Sequence, residues 1–196
     1  SAASDVYKRQ VEGTAGNTGI GLTMVGNAKG YTSVIVMPET QSQEKKDVLS
    51  IFGADLRLVP AKPYKDPENY VRYSERLAAE LAATHEAGVI WANQFDNKAN
   101  LRGHYRTTGP EIWEQTSGSI HGFTCAVGSG GTIAGVGKYL KEQKKDVRIA
   151  LSDPDGSALY GHYIHGELKA EGNSISEGIG QGRITANLAE APIDIA

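Results

Sequence analysis

A glycine-rich pentapeptide, Gly128–Thr132 (GSGGT), carries the clearest chemical signal in the sequence. It follows an apolar run typical of a strand and precedes a pattern typical of a helix. The N-terminus of a helix exposes unpaired backbone N–H groups and a partial positive charge, so it attracts phosphate. Glycine lets the backbone approach an anion closely, and Ser129 and Thr132 add hydroxyl donors. The pentapeptide therefore predicts a phosphate site, although a tight strand-to-helix turn without a ligand would use the same residues.

The pentapeptide does not match the two common nucleotide-binding motifs. A P-loop requires the lysine of G-x-x-x-x-G-K-[ST], which is absent here. The dinucleotide fingerprint G-x-G-x-x-G fails because Ile133 stands at the position of its last glycine. A non-catalytic α/β module that binds phosphate or a nucleotide stays open as an alternative.

Two further polar segments have residue types suited to binding. The loop Thr14–Gly19 (TAGNTG) also precedes a helical pattern. Taken alone, it could be a helix cap in which asparagine or threonine satisfies backbone donors. The second segment, Asn93–Asn100, contains Gln94 and separates the chain into two halves.

Short apolar runs alternate with helical stretches, which predicts a parallel α/β sheet that positions these loops. Ligands of such sheets bind at the carboxyl ends of the strands, where a loop between a strand and a helix lies. The tail from Asp153 is rich in glycine and is predicted to be mostly loop. Strands are predicted at 33–37, 55–59, 89–92, 122–127 and 148–152, and the principal helices at 20–28, 70–81, 101–115 and 133–142.

Composition excludes several classes of function. The net charge of −3 leaves no basic footprint for nucleic acid, and no apolar run is long enough to span a membrane. Cys125 is the one cysteine, so no disulfide forms within the chain, and a cytoplasmic location is expected. Its apolar neighbours favour a buried structural thiol over a nucleophile. His162 and His165 lack further ligands, so no metal site is predicted.

Together, TAGNTG and GSGGT make the sequence resemble the fold-type II pyridoxal-phosphate enzymes, and within them the cysteine synthases (O-acetylserine sulfhydrylases). WANQFDNKAN, TTGPEIWEQT and SEGIGQGRI support the resemblance, which runs from Val11 to the end. It implies an α/β fold of two three-layer parallel-sheet subdomains, like that of the tryptophan synthase β-subunit and incomplete at both ends. The expected division is a substrate-loop domain at 11–98 and a cofactor-phosphate domain at 99–196.

The resemblance implies pyridoxal 5′-phosphate as the cofactor and assigns its contacts residue by residue. Ala15 stands where many members have serine, and Ser129 stands where threonine is commoner, which keeps the hydroxyl. The cofactor-binding residues are Asn17 at the ring oxygen, Gly128, Ser129, Gly130, Gly131 and Thr132 at the phosphate, and Gly178 at the outer face. The residues implied to contact the substrate carboxylate are Thr14, Ala15, Gly16, Thr18 and Gln94.

The activity that the resemblance implies is β-replacement, in which sulfide displaces acetate from O-acetylserine to give cysteine. The expected full-length enzyme is a cytoplasmic homodimer. The alternatives within the class are another β-replacement or β-elimination enzyme, such as cystathionine β-synthase or serine dehydratase.

Two elements that the family uses are missing from the sequence. Members hold the cofactor on a Schiff-base lysine in an S-x-K-D-R stretch before the asparagine loop, and a later S-S-G loop faces the pyridine nitrogen. Neither stretch occurs here, so no catalytic residue is predicted and this fragment is expected to be inactive. Residues 1–10 (SAASDVYKRQ) resemble no part of the family, and we interpret them as a non-native segment, for example read-through of an adapter.

Overall fold

The computed structural model describes residues 8–170 and 178–196. The chain forms two compact units, Ser1–Asn93 and Gln94–Ala196, whereas the sequence predicts the division between residues 98 and 99. Gln94 therefore belongs to the second unit. Residues 1–7 of the predicted non-native segment, and Ser176 and Glu177 of the SEGIGQGRI stretch, lie outside the described residues.

The first unit is an α/β fold whose strands form a single parallel sheet in the order β3-β2-β1-β4. In chain order its elements are β1 (Arg9–Gly13), α1 (Asn17–Ala28), β2 (Thr32–Pro38), α2 (Gln43–Ile51), β3 (Asp55–Val59), α3 (Tyr70–Ala82) and β4 (Val89–Trp91).

Strand β2 lies inside this sheet, and its apolar run is buried on both faces. Val34 packs with Ala78 of α3 on one face, whereas Ile35 and Met37 pack with Leu49 of α2 on the other. Successive side chains of a strand point to opposite faces, so an uninterrupted apolar run predicts helices on both sides. The first unit accordingly has three layers, with the sheet between helices.

The second unit contains a pair of parallel strands and the helices that cover them. Its core is apolar and includes Ile133 and Leu140 of the central helix, which are 1% and 0% exposed. Its elements are α4 (Ala99–Arg106), α5 (Thr108–Gln115), β5 (Gly122–Ala126), α6 (Gly131–Gln143), β6 (Arg148–Ser152), α7 (Leu159–His165) and a 3₁₀ turn at Leu188–Glu190.

Strand β1 is not predicted by the sequence, because two of its five residues are polar and buried. Gln10 donates through Nε2 to the Leu22 carbonyl at 2.6 Å and to Ser33 Oγ at 2.7 Å. Glu12 is 1% exposed. Buried polar residues with partners look like surface residues in a sequence, so the apolar pattern of a strand is hidden.

The predicted helix at 101–115 is two helices, because the chain breaks at Thr107, where φ is −124° and ψ is −72°. Pro110 lies in the first turn of α5, a position where its missing N–H costs little. Helix α7 also forms where the sequence predicts loop.

None of the helices in the described ranges is long and apolar enough to cross a membrane. Those ranges also contain no group of three or more histidine, cysteine or acidic side chains suited to a metal ion.

Candidate functional site

The glycine-rich loop Gly128–Gly130 joins the carboxyl end of β5 to α6, so it occupies the edge of the strand pair predicted for a ligand. Gly130 precedes the helix in the left-handed region, with φ at 85°. Ala134 donates its backbone N–H to the Gly130 carbonyl at 3.0 Å, which begins the hydrogen bonding of the helix.

Three glycines of this cradle (Gly128–Thr132) are required by neighbouring protein atoms. A Cβ at Gly128 would lie 2.5 Å from the Gly178 carbonyl oxygen, and a Cβ at Gly130 would lie 2.7 Å from Leu188. At Gly131 it would come within 2.1 Å of Asn100 Oδ1. The glycines are thus explained by packing, and the case for an anion rests on the groups that the loop exposes.

The backbone N–H groups of the cradle indicate an anion site. Within the described part of the chain, the N–H groups of Ser129, Gly130, Thr132 and Ile133 donate no hydrogen bond. The first turn of α6 contains no acidic residue, and its Gly131 N–H makes only a long bond, at 3.4 Å, to Ser129 Oγ. Unpaired donors at the positive end of a 13-residue helix fit a phosphate group.

Ser129 is held by a side chain from α4. Asn100 donates through Nδ2 to Ser129 Oγ at 2.8 Å and to the Gln94 carbonyl oxygen at 2.9 Å. The backbone N–H of Gly131 also points at Ser129 Oγ, at 3.4 Å. The serine hydroxyl therefore has a defined position beside the unpaired N–H groups.

Thr132 is held by a second side chain from the same helix. Its Oγ1 lies 3.1 Å from His104 Nε2, and His104 Nδ1 lies 3.0 Å from Thr108 Oγ1. Burial lowers the pKa of His104 below its usual value of 6.5, so the ring is neutral at pH 7. A neutral ring bonds one hydroxyl as a donor and the other as an acceptor.

Two side chains that follow the loop at residues 178–182 stabilise this region of the second unit: Thr185 bonds the cradle, and Asn187 bonds the backbone of Gln94 and Phe95. Thr185 donates its hydroxyl to the Ser129 carbonyl at 2.6 Å and accepts from the Leu188 N–H at 3.0 Å. Asn187 donates through Nδ2 to the carbonyls of Gln94 and Phe95, both at 2.8 Å. Both side chains are fully buried, so these hydrogen bonds are shielded from water.

In the first unit, the loop Thr14–Gly16 follows β1 and leads into α1. Thr14 is 2% exposed, and its Oγ1 accepts the Gly16 N–H at 3.0 Å. Gly16 has φ at 138°, and a Cβ there would lie 2.6 Å from Lys45 Cδ. Its backbone conformation therefore favours glycine.

Asn17 is the first residue of α1, and its side chain is exposed. The bond from the Gly16 N–H to Thr14 Oγ1 means that a threonine satisfies a backbone donor just before α1, as the capping interpretation expects. The first turn also contains no acidic residue. A helix N-terminus whose first turn contains no acidic residue suits a carboxylate or another anion.

The structure thus gathers the predicted residues within each unit. Gln94, Gly178 and the cradle at 128–132 meet in the second unit, and residues 14–18 form the loop after β1 and the start of α1 in the first. Sequence reasoning missed the polar residues that hold the cradle: Asn100, His104, Thr185 and Asn187. The first two are four residues apart and share a helix face, which is the one signal that could have paired them.

Comparisons with known proteins show the family of the chain. The profile of the pyridoxal-phosphate dependent enzyme family matches residues 4–195. Cysteine synthase 1 of Neurospora crassa is 52% identical over 183 residues, which cover 92% of this chain and 47% of that protein. Cysteine synthase 1 of Emericella nidulans is 52% identical over 181 residues, covering 91% and 48%. The chain spans about half the length of these curated relatives.

Among solved structures, the O-acetylserine dependent cystathionine β-synthase of Helicobacter pylori superposes with a TM-score of 0.82 at 30% identity. The match covers 96% of this chain and 57% of that one. The α/β fold with parallel sheets predicted from the sequence is thereby confirmed.

Proposed function

Because the chain belongs to the pyridoxal-phosphate dependent enzymes, with pyridoxal 5′-phosphate as its cofactor, we propose that the whole protein is a cysteine synthase. In this reaction sulfide displaces the acetate group of O-acetylserine: the bond from the β-carbon to oxygen breaks, a carbon–sulfur bond forms, and cysteine and acetate are released. The observation that carries the proposal is the start of α6, where backbone N–H groups that donate no hydrogen bond within the described residues lie beside the Ser129 and Thr132 hydroxyls. The names of the relatives at 52% identity support the choice of reaction.

The bound cofactor supplies an electron sink for the α-carbon of the amino acid. The residues of this chain supply binding and orientation. Ser129, Thr132 and the N–H groups of the cradle hold the phosphate, and Gly178 lines the outer face. In the proposal, Asn17 donates to the oxygen on the cofactor ring.

The substrate carboxylate has two proposed contacts. Residues 14–18 include the N-terminus of α1, whose first turn contains no acidic residue, and the positive end of the helix dipole favours an anion there. Gln94 belongs to the second unit, and its backbone carbonyl is fixed by two asparagine amides. A fixed backbone limits the positions that the glutamine side chain can reach, which is what orientation of a substrate requires.

The 196 residues contain no S-x-K-D-R stretch with the lysine that carries the cofactor in this family. We therefore propose that the chain alone does not form cysteine, since loss of a general base removes about 10²–10⁴-fold of rate. The chain is mixed with pyridoxal phosphate, O-acetylserine and sulfide, and cysteine is measured against a protein-free control. Turnover clearly above the control would overturn this part of the proposal.

The reaction is tested on the whole protein that contains this sequence. O-acetylserine with sulfide should yield cysteine, and Thr132→Ala should weaken pyridoxal phosphate about tenfold, because a hydrogen bond to an anion is lost. Thr116→Ala is the matched control, since the Thr116 hydroxyl donates to the Ile112 and Trp113 backbone carbonyls of α5. A protein that makes no cysteine, or a Thr132→Ala variant with unchanged affinity, contradicts the proposal.

The superposition with an O-acetylserine dependent cystathionine β-synthase supports a second candidate. In that case the leaving group is the same and the attacking thiol is larger. O-acetylserine and homocysteine are offered in place of sulfide. Faster formation of cystathionine than of cysteine would favour this candidate.

A further inference from the structure

In the second unit, the side chain of Asn100 lies between the cradle and the backbone of Gln94. Its Nδ2 reaches Ser129 Oγ at 2.8 Å and the Gln94 carbonyl oxygen at 2.9 Å. Its side chain also occupies the space that a side chain at Gly131 would need, because a Cβ there would come within 2.1 Å of Oδ1. The side-chain amide of Asn100 thus contacts both the cradle and the backbone of Gln94, the glutamine predicted to bind the substrate.

The hydrogen-bond partners of Asn100 determine which side of its amide is the NH₂ group and which is the oxygen. A carbonyl oxygen only accepts hydrogen bonds, so the group of Asn100 that faces Gln94 is the NH₂ group. Both of its hydrogens are then committed, one to the Gln94 carbonyl and one to Ser129 Oγ. The serine oxygen is consequently an acceptor in its contact with Asn100.

This assignment also decides the role of the Ser129 hydrogen. A hydroxyl has two acceptor positions and one hydrogen. Asn100 Nδ2 at 2.8 Å and the Gly131 N–H at 3.4 Å take the acceptor positions. The hydrogen is left to donate, and a phosphate group, which at neutral pH offers mainly acceptor oxygens, is the partner that it matches.

We propose that Asn100 is a positioning residue that turns the Ser129 hydroxyl into a hydrogen-bond donor toward the cofactor phosphate and holds the Gln94 backbone at the same time. The inference rests on the proposed function for the identity of the phosphate and deepens it. Without Asn100, the Ser129 hydroxyl loses its shorter hydrogen bond and keeps the long one from the Gly131 N–H, and the Gln94 carbonyl loses one of the two asparagine amides that hold it.

The test compares pyridoxal phosphate with pyridoxal, which lacks the phosphate, in equilibrium binding to the whole protein freed of cofactor. Ser129→Ala should weaken pyridoxal phosphate about tenfold, and Asn100→Ala about fivefold, with pyridoxal unchanged in both. The double variant should be no weaker than Ser129→Ala, because Asn100 acts on the phosphate through Ser129. Asn100→Ser, too short to reach both acceptors, is a second variant with the same expectation.

Asn97→Ala is the matched control, because Asn97 Oδ1 accepts the Ala99 N–H at the start of the same helix. It weakens the end of α4 without removing a contact to Ser129, so the preference for the phosphorylated form should persist. A second readout is KM for O-acetylserine, which should rise in Asn100→Ala and stay constant in Ser129→Ala.

An Asn100→Ala variant whose affinities for pyridoxal and pyridoxal phosphate fall by the same factor would show a purely structural role and overturn the inference. Losses of affinity that add fully in the double variant would do the same. A wild-type protein without preference for pyridoxal phosphate overturns the proposed function and the inference together. A wild-type protein with the preference and an Asn100→Ala variant that retains it in full overturns the inference alone.

Discussion

The two hydroxyls of the cradle are held by side chains that the sequence does not single out. Ser129 is bonded by Asn100 and Thr132 by His104, both from α4. Each hydroxyl is held in place before a ligand arrives, so less conformational freedom is lost on binding. At the scale of single residues, the phosphate cradle is therefore a preorganised set of donors.

His104 makes the stability of the chain depend on pH. Burial lowers its pKa in the folded state, so the unfolded chain binds a proton first as the pH falls below about 6.5. The contribution of the neutral ring is thus complete above that pH and declines below it. The urea midpoint should fall more between pH 7.5 and 5.5 in the wild type than in His104→Gln. Equal falls in both proteins would contradict this assignment.

Cys125 should be unreactive in the folded chain. Its side chain packs against the core of the second unit, and burial raises the pKa of the thiol to about 11. Since the thiolate is the reactive form, a disulfide reagent at pH 8 should label the folded chain at least tenfold more slowly than the urea-unfolded chain. It is the single cysteine, so the signal is unambiguous. Rapid stoichiometric labelling of the folded chain would rule out the structural interpretation.

At the scale of elements, the close approach of α4 to α6 brings Asn100 and His104 to the cradle. A Cβ at Gly135 of α6 would lie 2.3 Å from the Leu101 carbonyl and 2.7 Å from His104 Cβ. The two helices can come this close only because residue 135 has no side chain. Gly135 therefore affects the cradle indirectly, because it allows α4 to approach α6.

Gly135→Ala should therefore lower the free energy of unfolding by about 1–3 kcal/mol, the usual cost of overpacking. Gly103→Ala is the matched control, because a Cβ at Gly103 of α4 would meet nothing within 4 Å. Alanine there should raise the free energy of unfolding by about 0.5–1 kcal/mol through backbone entropy. Denaturant unfolding measures both, and equal effects of the same sign would refute the packing argument.

At the scale of the whole molecule, ion pairs join segments that are far apart in the chain. Burial alone raises the pKa of Asp96, but the hydrogen bond from Arg183 helps bring it below its usual value. Hydrogen bonds from Lys138 and then Lys98 lower the pKa of Glu190 to about 2. These contacts tie the last part of the chain to α6 and to the segment before α4.

Carboxylates of this kind stabilise the folded state above their unfolded pKa, and the contribution is lost as the pH falls through the folded pKa. For Glu190 the window runs from about pH 4.5 down to about 2. Glu190→Gln should be less stable at pH 7 and lose less stability on acidification, as followed by urea unfolding at pH 6 and pH 3. Glu114→Gln, at an exposed site, is the control and should behave like the wild type. A Glu190→Gln variant with the wild-type pH dependence would contradict the assignment.

The assembly of the whole protein is a separate proposal. The chain spans about half the length of the curated relatives, and we propose that the whole protein forms a homodimer. Light scattering of that protein should give twice the mass of one chain.

The sequence by itself determined the elements with an uninterrupted local pattern and the family. The apolar run at 33–37 predicts a strand, which the structure has as β2, and GSGGT with TAGNTG identifies a pyridoxal-phosphate enzyme, which the comparisons confirm. These signals are local, because burial on both faces of a strand and a turn into a helix each constrain a few consecutive residues. The roles of Asn17, Gln94 and the other site residues stay predictions.

Only the tertiary structure decided how the cradle is held. Asn100 and Ser129 are 29 residues apart, and Thr185 and Ser129 are 56 apart. Strand β1 could not be predicted from the sequence for the same reason. The groups that bond the buried Gln10 side chain lie 12 and 23 residues away in the chain. A buried polar side chain is recognisable by the group that satisfies it, and that group comes close only when the chain has folded.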